Sequence, residues 1–157
     1  MKQPIPTIVF IFLSLCAQAH NGYIDSLQRV LKQASDFNKK IAIQQQIADW
    51  YRSSEQYSEA ISMANLSLQN SLDISSHNLD VTRSYWLLSN IYTNMENFEM
   101  AREYVDKAYQ SAEAQNSPLP MAYAHYAEVI LQRTLFDADI PIQKLHEALS
   151  KIKHPKE

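Results

Sequence analysis

Residues Leu87 to Tyr109 read LLSNIYTNMENFEMAREYVDKAY, and the spacing of their large, small and polar residues decides the fold. Leu88 and Tyr92 stand four apart with the small Ser89 beside them, so the three share one face of a helix. The polar break Asn94-Met95-Glu96-Asn97 follows, and Phe98, Ala101 and Val105 then open a second helical stripe. The same pattern occurs 41 residues earlier, where Ile47, Ala48, Tyr51, Tyr57 and Ala60 of IADWYRSSEQYSEAISMANLSL match Leu88, Ser89, Tyr92, Phe98 and Ala101. Repetition at a fixed period of this size marks stacked supersecondary units.

Each unit has a physical logic. A large residue and a tyrosine fill the core, the small residue lets another helix approach, and an aromatic ring closes over the turn. Neither helix can bury its stripe alone; two antiparallel helices can, and stacked pairs share a continuous core. Composition agrees. A single Gly and six Pro in 157 residues leave almost none of the punctuation that hairpins need. The expectation is an all-α solenoid of antiparallel helix pairs, about seven helices in all.

These residues resemble the tetratricopeptide repeat, whose signature is a large-small pair, then Tyr, then an aromatic at the inter-helix turn followed by two alanines. Leu88-Ser89, Tyr92, Phe98, Ala101 and Ala108 fill it in the second unit, with Ser89 and Glu96 where the family usually has Gly. In the first unit Ile47-Ala48, Tyr51, Tyr57 and Ala60 fit, and Ser67 stands in for the second alanine. The 41-residue spacing exceeds the family's usual length, as in its bacterial signalling members. The resemblance implies a right-handed superhelix whose first helices line a concave groove. Carried over position by position, that groove comprises Gln45, Asp49, Arg52 and Ser53, then Trp86, Asn90, Thr93 and Asn94, and by a weaker third alignment Tyr123, Tyr126, Ile130 and Arg133. Aromatics, amides and guanidinium groups in such a groove suit a peptide. The alternative for Trp86 and the tyrosines is packing between units.

The flanks complete the organisation. Lys2, the apolar run Ile8 to Cys16 and Ala17-Gln18-Ala19 have the three parts of a secretory signal peptide, residues 1–19, cleaved near Ala19. The remaining domain, 20–157, is then exported, periplasmic or secreted. Acylation of Cys16 ranks second, because Leu15 occupies a place where a lipobox wants a small residue. The mature chain would hold no cysteine, and so no disulfide. A capping helix is expected over about 23–38, repeats over about 41–77 and 80–116, and a degenerate third repeat over about 119–153. That third unit is built from MAYAHYAEVILQR (Met121–Arg133) and DIPIQKLHEALSK (Asp139–Lys151), with Pro141 in a first turn.

No set of residues points to catalysis. The histidines at 20, 77, 125, 146 and 154 include no pair at metal-ligand spacing on one helix face, though His125 and His146 lie on neighbouring helices. Gly22 alone cannot make a phosphate loop, and no G-x-S-x-G elbow occurs. With 14 basic and 17 acidic residues and no long basic run, nucleic-acid binding is disfavoured. The expectation is a non-enzymatic scaffold without metal or cofactor that binds a protein or peptide, with membrane association only through Cys16 or a longer parent chain. The alternative is the extracytoplasmic sensory segment of a signalling protein, such as a histidine kinase or helix-turn-helix regulator. The ending HPKE after a degenerate unit fits a short form or a fragment of such a protein.

Overall fold

The structure, a computed structural model, describes residues 22–136, 146 and 149–152. The leader 1–19, Cys16 and most of the expected helix 139–151 lie outside the described residues. Six helices follow one another within 22–136: α1 over residues 22–33, α2 Phe37–Ser53, α3 Tyr57–Ile74, α4 Leu79–Asn94, α5 Phe98–Gln115 and α6 Pro118–Phe136. Residues 149–152 are helical too, and the described residues contain no strand.

Helix ends follow from local chemistry. Asp36 accepts from the Lys39 amide at 2.7 Å and starts α2. The capping helix therefore stops at residue 33, short of the expected 38, and the first unit begins at Phe37 instead of about 41. Asn78 caps α4 through the Val81 amide at 3.0 Å, and Asn97 caps α5 through the Met100 amide at 3.2 Å. Such caps each contribute about 1 kcal/mol. Pro118 and Pro120 sit in the first turn of α6, where a missing N–H costs nothing.

The two intra-unit turns are copies of one another. The Glu55 amide donates to the Arg52 carbonyl and the Gln56 amide to that of Tyr51; Glu96 and Asn97 donate likewise to Thr93 and Tyr92. This is a Schellman motif, whose C′ residue takes left-handed backbone angles. Here that residue is Glu55 with φ 59° or Glu96 with φ 58°, at the position usually held by Gly.

Packing turns these pairs into a solenoid. Ala48 of α2, Ala60 and Ala64 of α3, and Leu87, Leu88 and Ile91 of α4 form one buried cluster. Ala101 and Val105 of α5 with Ala127 and Leu131 of α6 form the next. The alanine early in each second helix thus faces the following unit as well as its own partner. At the open end α1 lays Ile24, Leu27 and Leu31 against Ile43 and Ile47. The α2 and α4 helices touch, as do α4 and α6, whereas α3 and α5 do not. The stack therefore curves, with α2, α4 and α6 on the inner side.

Buried hydroxyls and amides cross-link the layers. Ser84 Oγ pairs with Ser67 Oγ at 2.7 Å, and Thr82 Oγ1 with Ser111 Oγ at 2.9 Å. Gln115 Nε2 donates to Thr82 Oγ1 at 2.8 Å and to the Asn78 carbonyl at 3.0 Å. The third unit departs from the 41-residue register because its linker is shorter. Residues 75–78 separate α3 from α4, but only 116–117 separate α5 from α6, with Asn116 at φ 45°.

Candidate functional site

The inner face places the expected groove residues in three different environments. Gln45 is 5% exposed and ties helices together, its Nε2 donating to the Asp80 carbonyl at 3.1 Å and to Ser84 Oγ at 3.2 Å. Thr93 is 2% exposed and spends its hydroxyl on the Ser89 carbonyl at 2.8 Å. Asn90 is 4% exposed. All three lie on the helices that meet along the inner side of the stack, and they are buried there, whereas the resemblance placed them on the groove face.

A second set is paired at the surface. Arg52 holds Asp49 Oδ1 through Nε at 2.9 Å and Nη2 at 2.8 Å. With its amide oxygen toward Arg52, Asn94 accepts from Nη1 at 3.1 Å and donates to the Asn90 carbonyl at 3.2 Å, joining α2 to α4. Ser53 is exposed and donates to the Trp50 carbonyl at 2.8 Å.

The third set is aromatic. Trp86 meets Tyr123 edge-on at 5.4 Å and stacks on Tyr126 at 5.9 Å. Trp86 also packs against both the first and the second buried clusters, so it is a packing element between units and a wall of the groove at once. Tyr126, 43% exposed, and Arg133 reach solvent, while Ile130 is half-buried.

Between α2 and α4 lies a cavity of about 130 Å³ lined by Gln45, Gln46, Asp49, Arg83, Trp86 and Leu87. Gln46 and Arg83 were absent from the sequence-based set. Arg83 could have been found, since it precedes Trp86 by three residues and so shares its face. Its guanidinium pairs with Asp80 at 3.4 Å and lies 5.7 Å from the Tyr123 ring centre. Four buried side-chain atoms among the described residues lack a hydrogen-bond partner: Gln45 Oε1, Arg83 Nε, Trp86 Nε1 and Asn90 Oδ1. All four belong to residues of the inner helices α2 and α4.

A separate network joins α5 to α6. Tyr109 donates its hydroxyl to Glu128 and bonds His125 Nδ1 at 2.6 Å, while Gln132 donates to the other Glu128 oxygen at 2.8 Å. Burial pushes the Tyr109 phenol well above its ordinary range, and the bond to Glu128 pushes the same way. His146 is exposed. Among the described residues no group of three or more His, Cys, Asp or Glu could hold a metal ion, and no helix is long and apolar enough to cross a membrane.

The fold and this face define a class: a curved stack of antiparallel helix pairs whose first helices carry a polar and aromatic inner surface. Residues 82–115, from the first turn of α4 to the end of α5, match the tetratricopeptide repeat, so the chain carries a repeat of that family. No curated protein matches the chain, and neither does any solved structure. Tetratricopeptide repeats generally serve as scaffolds for protein–protein interaction.

Proposed function

We propose that the concave face of α2, α4 and α6 binds a peptide segment of a partner protein, and that the chain acts as an exported, non-enzymatic interaction module. The observation that carries this reading is the inner face itself. It offers an exposed tyrosine stacked on a tryptophan, exposed amide and guanidinium groups, and an adjoining cavity sized for one side chain. Aromatic anchors supply contact area there, and amides read backbone carbonyls. Export rests on the leader pattern of residues 1–19.

Trp86 is a poor residue to delete in a test, because it joins two buried clusters. Tyr126→Ala with Arg133→Ala removes two exposed groove side chains instead. Partners recovered by the wild-type protein should be lost by this folded double variant; unchanged recovery counts against the groove. For export, the mature N-terminus of the expressed full chain should lie near His20, and retention of Met1 would refute cleavage.

A further inference from the structure

We infer that Tyr109 is a positioning residue for His125: it keeps a hydrogen on Nδ1 of that ring in both its neutral and its charged form, so the seam between α5 and α6 keeps its hydrogen bonds when the ring takes up a proton. The inference is independent of the groove.

Three half-buried side chains form a chain of hydrogen bonds across this seam. The Tyr109 oxygen of α5 lies 2.6 Å from His125 Nδ1 of α6, and the same hydroxyl bonds Glu128 Oε2, three residues further along α6. Gln132 Nε2 donates to Glu128 Oε1 at 2.8 Å, so that oxygen carries no hydrogen. The Tyr109 and His125 rings meet edge-on, with centroids 5.3 Å apart.

A phenol has one hydrogen to give. Directed at Glu128, it leaves the Tyr109 lone pairs facing Nδ1, and the imidazole must then be the donor. Directed at His125, it would set those lone pairs against the carboxylate, acceptor against acceptor. A carboxylate is also the stronger acceptor, because its charge shortens and strengthens the bond. The hydrogen therefore goes to Glu128, and Nδ1–H donates to the phenol oxygen. Reversing the chain would take a Glu128 that carries the hydrogen itself.

The bond made at one imidazole nitrogen sets where the ring hydrogen sits. With Nδ1 occupied, a second proton goes to Nε2 and leaves the chain as it was. In the opposite tautomer Nδ1 would be the acceptor, and charging the ring would break its bond to the phenol. The other polar groups that α5 and α4 bring near Tyr109 are Arg102, whose charge acts on the phenol, and Tyr85, which packs against the same alanine cluster.

Nitrogen-15 NMR of the intact protein, labelled at histidine, tests this. His125→Gln identifies the His125 signals by their loss, and exposed His77 serves as the reference in the same spectrum. At pH 8, above the ordinary imidazole pKa of about 6.5, His125 Nδ1 should give the signal of a hydrogen-bearing nitrogen. Between pH 8 and pH 5 that signal should barely move. Tyr109→Phe removes the acceptor and should shift His125 at pH 8 to the pattern of His77. Glu128→Gln replaces the carboxylate by an amide that can donate to the phenol, so the phenol can turn; it should shift the pattern the same way and serves should Tyr109→Phe fail to fold. A bare Nδ1 in the wild-type protein at pH 8, or a large Nδ1 movement on acidification, overturns the inference. A hydrogen-bearing Nδ1 that persists in both folded variants overturns the part assigned to Tyr109.

Discussion

Trp86 of α4 stacks on Tyr126 of α6 with ring centroids 5.9 Å apart and planes 24° from parallel, across the boundary between two units. The contact explains how a groove lining can also hold the stack together. One edge of the pair is buried against the alanine-rich clusters of both units, and the tyrosine faces solvent. Replacing Trp86 by Ala should therefore cost about 3–5 kcal/mol, and urea titration should show it. A loss below about 1 kcal/mol would mean the ring is not a packing element.

Ala101 is fully buried among Val105, Ala127 and Leu131. Three further carbons have nowhere to go, so Ala101→Leu should destabilise by about 1–3 kcal/mol. Thermal melting indistinguishable from wild type would contradict the close contact of α5 with α6.

Glu55 and Glu96 occupy left-handed backbone angles at equivalent turns. An L side chain pays about 1–2 kcal/mol there, partly offset in Gly by its greater freedom when unfolded. Glu96→Gly should thus stabilise the protein by about 1 kcal/mol. Because the two turns share no partners, Glu55→Gly should add a similar increment. Chemical denaturation of both single variants and the double variant checks this, and a fall in stability on either substitution would refute it.

The Tyr109 phenol is held protonated by burial and by its bond to Glu128. Tyr104 is raised in the same direction, first by burial and next by Tyr92, on whose ring it stacks. For a group whose folded pKa is raised, stability is fully present below the unfolded value, about 10 for tyrosine, and is lost as pH rises through the folded value. The melting temperature should fall above about pH 10, and Tyr109→Phe should flatten that fall. An equally steep alkaline decline in the variant would exclude Tyr109 as a source. At neutral pH the same variant should lose about 1–2 kcal/mol through the missing hydrogen bonds.

The amino-acid order alone determined the helical class, the antiparallel pairs, the small residues at crossings and the repeat itself. Each of these is a local or periodic property: Leu88, Ser89 and Tyr92 share a face because of helix geometry, and the copy at Ile47, Ala48 and Tyr51 shows that the face recurs. Helix ends were less legible, because the competition at Asp36 between ending α1 and capping α2 turns on a single hydrogen bond. The groove was legible as a face but not as a set of available side chains. Whether Gln45, Asn90 and Thr93 meet solvent depends on how closely α2, α4 and α6 approach, and curvature is set by the sum of contacts on both sides of the stack. Only the tertiary structure brought Arg83 and Gln46 to the cavity and Trp86 onto Tyr126. Periodicity says which way a side chain points; packing between distant segments decides what it meets.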